Sequence, residues 1–193
     1  MTTAILISAC ALLFTVGSLW WLNARSGRLL MTEIVTFSAY AHARRAMLRI
    51  PVALYNTGAK PLVIVDLRLE LSSAGLSFVA PSQTFRSSME PKAGDVDDFP
   101  HPYVVPGRSV VTRFVEFDLD GGIDVMVTGE SALGRLSVLV SHQGWRTVGA
   151  CRIRTDAIGD PDAYIAYSND PAHWPEGQLE KANKALAAVR EQI

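Results

Sequence analysis

Residues 3–22 read TAILISACALLFTVGSLWWL, a run of twenty with no charge and no proline. At a rise of about 1.5 Å per residue such a run reaches about 30 Å, the thickness of a bilayer's hydrocarbon core. Backbone in lipid must satisfy its own hydrogen bonds, so the run is expected to be a spanning helix. Trp20 and Trp21 close it where amphipathic rings settle at headgroup level, and Arg25 and Arg28 follow directly. These four residues are the expected membrane interface.

Two kinds of cleavage compete with a permanent span. A secretory leader needs a basic start and an early small-residue site, but Met1-Thr2-Thr3 carries no side-chain charge. The first A-x-A triplet, Ala41-His42-Ala43, lies well beyond the apolar run. Ile7-Ser8-Ala9-Cys10 has the look of a lipobox, yet no positive charge precedes it and apolar residues continue after Cys10. The span is therefore read as retained. Arg25, Arg28, Arg44, Arg45 and Arg49 follow it against one acid, Glu33, while no Lys or Arg precedes it. Positive-inside places the remainder of the chain in the cytoplasm, with an exported domain as the alternative.

Beyond the span the hydrophobic period is two. Leu48, Ile50, Val52 and Leu54 share one face, with Arg49, Pro51, Ala53 and Tyr55 on the other. After the turn-like Asn56-Thr57-Gly58-Ala59-Lys60-Pro61, Val63, Val65, Leu67, Leu69 and Leu71 alternate with Asp66, Arg68 and Glu70. This reads as strands with one buried and one wet face, joined as an antiparallel pair, with Pro51 marking an edge or bulge. Shorter strands are expected over 31–40, 76–79, 109–118, 123–128, 136–141 and 145–154. So many short strands separated by turns predict a mainly β fold, an antiparallel Ig-like or fibronectin-like β-sandwich. With only Cys10 and Cys151 present, no disulfide pins it.

Residues 90–101, EPKAGDVDDFPH, lack periodicity and read as a mobile surface loop. Residues 155–174 also look irregular. From Glu176 the stripe Leu179, Ala182, Leu186, Val189 and Ile193 predicts an amphipathic helix over 176–192, with Pro175 at its start. The expected organisation is an anchor over 1–24, a membrane-proximal segment with a possible first strand over 25–45, a sandwich over 46–155, and an acidic tail over 156–193. Charge divides along the chain: residues 23–68 carry 7 basic and 2 acidic side chains, and residues 155–193 carry 3 basic and 7 acidic ones. The first stretch suits an anionic leaflet and the second does not. The whole chain of 193 residues has a net charge of −1, which argues against nucleic acid as a partner.

Candidate chemistry is thin. His101 and His142 have Ser and Asp in plenty but no G-x-S-x-G context, and Cys151 in an alternating strand reads as core packing. Asp95, Asp97 and Asp98 with His101, or Asp118, Asp120 and Asp124, lack the spaced ligands of a calcium loop, so solvated acids are the simpler reading. His173 and Trp174, near Tyr164 and Tyr167, form an aromatic group read as packing against the sandwich. No phosphate loop, CxxC pair or HExxH is present. No catalytic residue, metal or cofactor is expected.

The span followed by IPVALYNTGAKPLVIVDLRLEL, VVPGRSVVTRFVEFD and SHQGW resembles bacterial, chiefly actinobacterial, single-pass membrane-anchored Ig-like proteins. The likeness covers most of residues 3–155 and is most distinctive at Asn56-Thr57-Gly58, Asp66-Leu67-Arg68-Leu69 and Trp145. It implies a fold and an anchor and carries over no functional residues. The expected function is non-enzymatic: an accessory or adaptor protein that contacts another membrane or membrane-associated protein, with homo-oligomers allowed. Asp95, Asp97, Asp98 and His101 of the loop and Leu179, Leu186 and Val189 of the helix are the candidate contacts, with the helix's one narrow apolar stripe read first as packing on its own domain. The alternative is an extracytoplasmic sensor or ligand-binding module with the anchor reversed.

Overall fold

A computed structural model describes residues 2–42 and 45–193. Ala43 and Arg44, the end of the A-x-A triplet and one of the counted arginines, lie outside the described residues. The apolar run forms an α-helix, α1 (Thr2–Leu19), that loosens into a π-turn over Trp20–Ala24. The 23-residue helix Thr2–Ala24 is long and apolar enough to cross a membrane, and none of it is buried against the protein.

The body is one 11-stranded antiparallel sheet that curls on itself. Its strands are β1 (Leu29–Met31), β2 (Thr36–His42), β3 (Arg45–Asn56), β4 (Leu62–Ser73), β5 (Leu76–Arg86), β6 (Asp97–Asp98), β7 (Tyr103–Val105), β8 (Val110–Asp118), β9 (Ala132–Val140), β10 (Gly144–Ile153) and β11 (Ile165–Ser168). Their order is β10-β9-β4-β5-β8-β3-β2-β11, with β1 beside β3, β6 beside β5 and β7 beside β4. The curl happens in β5. Arg68 to Ser73 of β4 pair with its first half, and Phe114 to Phe117 of β8 pair with its second, with a register shift between Ser82 and Thr84. Leu48, Ile50, Val52, Leu54, Leu67, Leu69, Leu71, Phe117, Leu136 and Val138 are buried in one apolar core.

Several local expectations change. Asn56 to Pro61 does not close a hairpin: β3 pairs with β1, β2 and β8, β4 pairs with β5, β7 and β9, and the turn carries the chain between the two groups. The alternation is the same either way, because period two reports a buried face and not a partner. Pro51 sits in a central strand. On one side β3's partner changes from β2, which ends at Ser38↔Arg49, to β1, which begins at Met31↔Leu54, so the missing N–H falls in the gap. Residues 123–126 are a helical turn, α2 (Ile123–Met126), that buries Ile123, Val125 and Met126. The expected strand at 76–79 is the first third of β5, whose polar second half hid its continuation. The last helix, α3 (Gln178–Arg190), forms as expected and buries Ala182, Leu186 and Val189.

Candidate functional site

Arg49 on β3, Glu116 on β8 and Thr84 on β5 stand directly opposite one another in register and point away from the apolar core. That face is not wet, as alternation alone predicts: the side chains of Arg49 and Glu116 are each 1% exposed. The chain after β5 covers them, and Tyr164 closes the other side with the Arg49 guanidinium 5.0 Å from its ring centre.

Beneath this cover both carboxylates are saturated with hydrogen bonds. Glu116 Oε2 accepts from Arg49 Nε at 3.2 Å, Arg49 Nη2 at 2.8 Å and the Tyr164 hydroxyl at 2.6 Å. Glu116 Oε1 accepts from Thr84 Oγ1 at 3.2 Å and Arg86 Nη2 at 3.1 Å. Arg49 Nη1 donates to the Ser88 carbonyl and to Asp95 Oδ2, both at 2.9 Å. Asp95 Oδ1 accepts from the backbone N–H groups of Ser87 and Ser88 and from the Ser87 hydroxyl. Among the described residues no buried side-chain nitrogen or oxygen lacks a partner.

The electrostatics follow from that saturation. Burial by itself would raise the Glu116 carboxyl, but hydrogen bonds from Tyr164, Arg49 and Arg86 outweigh it and hold the group below the usual glutamate range. Asp95 is held low in the same way: burial opposes, while Ser88, Arg49 and Ser87 stabilise the anion. Burial, then the neighbouring Glu116 charge, pushes the Tyr164 hydroxyl well above its ordinary value. An open cleft of about 550 Å³ adjoins the cluster, lined in part by Met47, Arg86, Asp97, Phe99 and Tyr164. A carboxylate that already accepts five hydrogen bonds has no lone pair to offer as base, nucleophile or ligand. In this arrangement the cluster is a clasp that holds residues 87–95 against the sheet.

The residues singled out from sequence therefore separate. Asp95 is inside the clasp, with its side chain 6% exposed, and is not a free contact residue. Asp97 lies 3.3 Å from Arg86 Nη1, and Asp98 lies 3.9 Å from the exposed His101. The loop is pinned over its first half, since Ser38 donates to the Met89 carbonyl and the Ala166 N–H donates to Glu90 Oε1. Leu186 and Val189 are buried in the domain's own core and are corrected as partner contacts, because α3 lays its apolar stripe on the domain beside the 3-10 turn Thr155–Ala157; Leu179 remains exposed. Cys151 is buried and its thiol is pushed up to about 11 by burial, as suits a packing residue. Trp174 donates its Nε1–H to the Ser168 carbonyl and lies under Arg154. Among the described residues no group of three or more His, Cys, Asp or Glu converges as for a metal.

A second arrangement lies where the helix meets the domain. Residues 25–28 are laid against the β3–β4 turn: Ala59 N–H donates to the Arg25 carbonyl, Thr57 N–H to the Arg28 carbonyl, and Arg28 N–H to Thr57 Oγ1. Gly27 and Gly58 touch backbone to backbone, and a Cβ on Gly27 would fall 1.8 Å from the Gly58 nitrogen. From the β7–β8 turn Arg108 donates its backbone N–H to the Gly58 carbonyl and its Nη2 to the Trp21 carbonyl. Arg25 lies over the Trp21 ring at 4.1 Å. Of these residues sequence reading placed Trp21, Arg25 and Arg28 at the membrane interface and read Thr57, Gly58 and Ala59 only as a turn. Lys60 and Arg108 are far off in the chain, and no local signal marks them.

No family model matches the chain, and no curated protein matches it. Among solved structures, a crystal structure of a protein from Archaeoglobus fulgidus is similar at 10% identity and a TM-score of 0.37, over 72% of this chain and 98% of that one.

Proposed function

We propose that this chain is a membrane-anchored, non-enzymatic accessory protein whose β domain works by contact with another membrane or membrane-associated protein. One observation carries the reading. On the outward face of β4, β7, β9 and β10, Val63 lies opposite Val104, Val65 bulges beside Asp66, and Leu139 lies between Asp66 and Trp145. Val63, Val65, Val104 and Trp145 are all exposed, and Arg68 stacks on the Trp145 ring at 4.3 Å. An apolar row with one Trp–Arg pair has the make-up of a contact surface. Val63, Val65 and Val104 lie a few residues from the turns that contact Trp21, Arg25 and Arg28, so a partner in the same bilayer is within reach of them.

The strand order supports an Ig-like reading of the curled sheet. Taking β2, β3, β4, β5, β8, β9 and β10 as strands A to G gives A-B-E-D on one side and C-F-G on the other. The span, with Arg25 and Arg28 directly after it, supports a bacterial inner-membrane location with the domain in the cytoplasm. The test places a photo-crosslinking residue at Val104 or, as control, at Glu180, in the full chain in native membranes. The expected result is one discrete adduct from position 104, lost when Val65 and Trp145 are both changed to Glu. An adduct of twice the chain's mass makes a second copy the partner. The same smear from both positions, or none from either, overturns the proposal.

A further inference from the structure

The end of the domain that meets α1 is built from four stretches that the fold gathers: residues 20–32, 56–63, 104–112 and 140–147. The first three are tied by the hydrogen bonds around Gly58, and the fourth joins through Ser141 N–H to the Val63 carbonyl at 2.9 Å. Together they carry Arg25, Arg28, Lys60, Arg108 and Arg146, and not one Asp or Glu. Arg28, Lys60, Arg108 and Arg146 are exposed, and among the described residues none of the five is in an ion pair. At the opposite end acids outnumber cations: the connections hold Asp120, Asp124, Glu130, Asp160 and Asp162, with Asp162 beside His42, against Arg45 and an Arg154 that is paired with Asp156.

We infer that this basic end is a binding face for the anionic headgroups of the bilayer that α1 crosses. The inference rests on the anchor reading above and adds where the domain sits. The connection from helix to domain is short and tied, because the Ala59 N–H bonds the Arg25 carbonyl directly after the helix ends at Ala24 and Arg108 bonds the Trp21 carbonyl. With Trp20 and Trp21 at headgroup level, Arg28, Lys60 and Arg108 are held within a Debye length of the lipid phosphates, where their charge is little screened. Each guanidinium also brings forked N–H donors that match a phosphodiester. The acidic end faces away, so one orientation satisfies both. The apolar row at Val63 and Val104 then stands beside the membrane, displayed sideways.

The test reconstitutes the full chain in bilayers of phosphatidylcholine alone, or of equal parts phosphatidylcholine and phosphatidylglycerol, and follows deuterium uptake. In the anionic bilayer uptake is expected to slow over residues 56–63 and 104–112, by about fivefold for each cation engaged. High salt, or the triple change Arg28→Gln, Lys60→Gln and Arg108→Gln, is expected to remove the difference. The triple change Lys181→Gln, Lys184→Gln and Arg190→Gln at the far helix is expected to leave it. Unchanged uptake over β3 and β8 shows that each variant is folded. Equal uptake in both bilayers, by a chain that resists carbonate extraction, overturns the lipid contact alone. A chain released by carbonate overturns the anchor, and the proposed function with it.

Discussion

The clasp around Glu116 and the basic end around Arg108 both rest on arginines presented by antiparallel strands and their turns, and they treat charge in opposite ways. Arg49 is enclosed, with carboxylates on two sides and a tyrosine face against it. Arg28, Lys60 and Arg108 stand in solvent with no carboxylate in any of the stretches that carry them. Charge that is paired and buried holds the protein's own loop. Charge that is left unpaired at one end is available to something outside the protein. Structural and interactive cations thus differ in their surroundings, since arginine serves in both places.

The largest effect should come from Arg49→Met. It leaves Glu116 and Asp95 buried with their main counter-charge gone, which costs about 3–5 kcal/mol when one partner of a buried pair is removed. Urea unfolding of the full chain in detergent, followed by tryptophan fluorescence, reads it. A loss under about 1 kcal/mol, the range of an exposed pair, would mean that the clasp is open to water and would break the contrast.

Acid should act next, and only on the clasp. Glu116 and Asp95 both have carboxyls held below their unfolded values. Groups of that kind contribute stability that is present above the unfolded pKa, near 4, and is lost as pH falls through the lowered folded value. Unfolding free energy should therefore fall from about pH 4 downward. Glu116→Gln should be less stable at neutral pH and show a shallower fall. An equal slope in wild type and variant would place the acid sensitivity elsewhere, for instance in the exposed carboxylates of the far end.

Much of the fold was legible because hydrophobic alternation survives every change of partner. Leu48, Ile50, Val52 and Leu54 are buried as the period demands, and so are Leu67, Leu69 and Leu71. Which strand pairs with which was not legible, and the Asn56–Pro61 turn shows why. A glycine turn that changes layer and one that closes a hairpin have the same composition; here the contact that Gly58 makes is with Gly27, which lies 31 positions away in the chain. The clasp was missed for a related reason. Arg49 and Glu116 look like wet-face residues in their strands, and only the register of β3 on β8, with Tyr164 brought back by β11, encloses them. The acidic run of the loop was visible, but not that its first aspartate is a counter-ion. Stripe position on α3 was read correctly as apolar, yet position alone does not say whether the domain or a partner covers it; packing beside the 3-10 turn Thr155–Ala157 settles that for Leu186 and Val189.

The smallest stability effect should come from Lys60→Gln, and its smallness is what gives it value. Lys60 is exposed, sits in a turn held by backbone hydrogen bonds, and has no ion pair among the described residues. Removing its charge should change unfolding free energy by less than about 0.5 kcal/mol, the usual bound for surface substitutions that touch no special feature. The same change should still weaken the domain's hold on an anionic bilayer by about fivefold. A residue that matters to stability as little as this one, and to the surface as much, separates the two regions more sharply than Arg49 can, since Arg49→Met disturbs everything that the clasp holds. If Lys60→Gln instead lowers stability by as much as 2 kcal/mol, the turn depends on that side chain for its own folding, and the division between paired structural charge and free interactive charge fails at this end of the molecule.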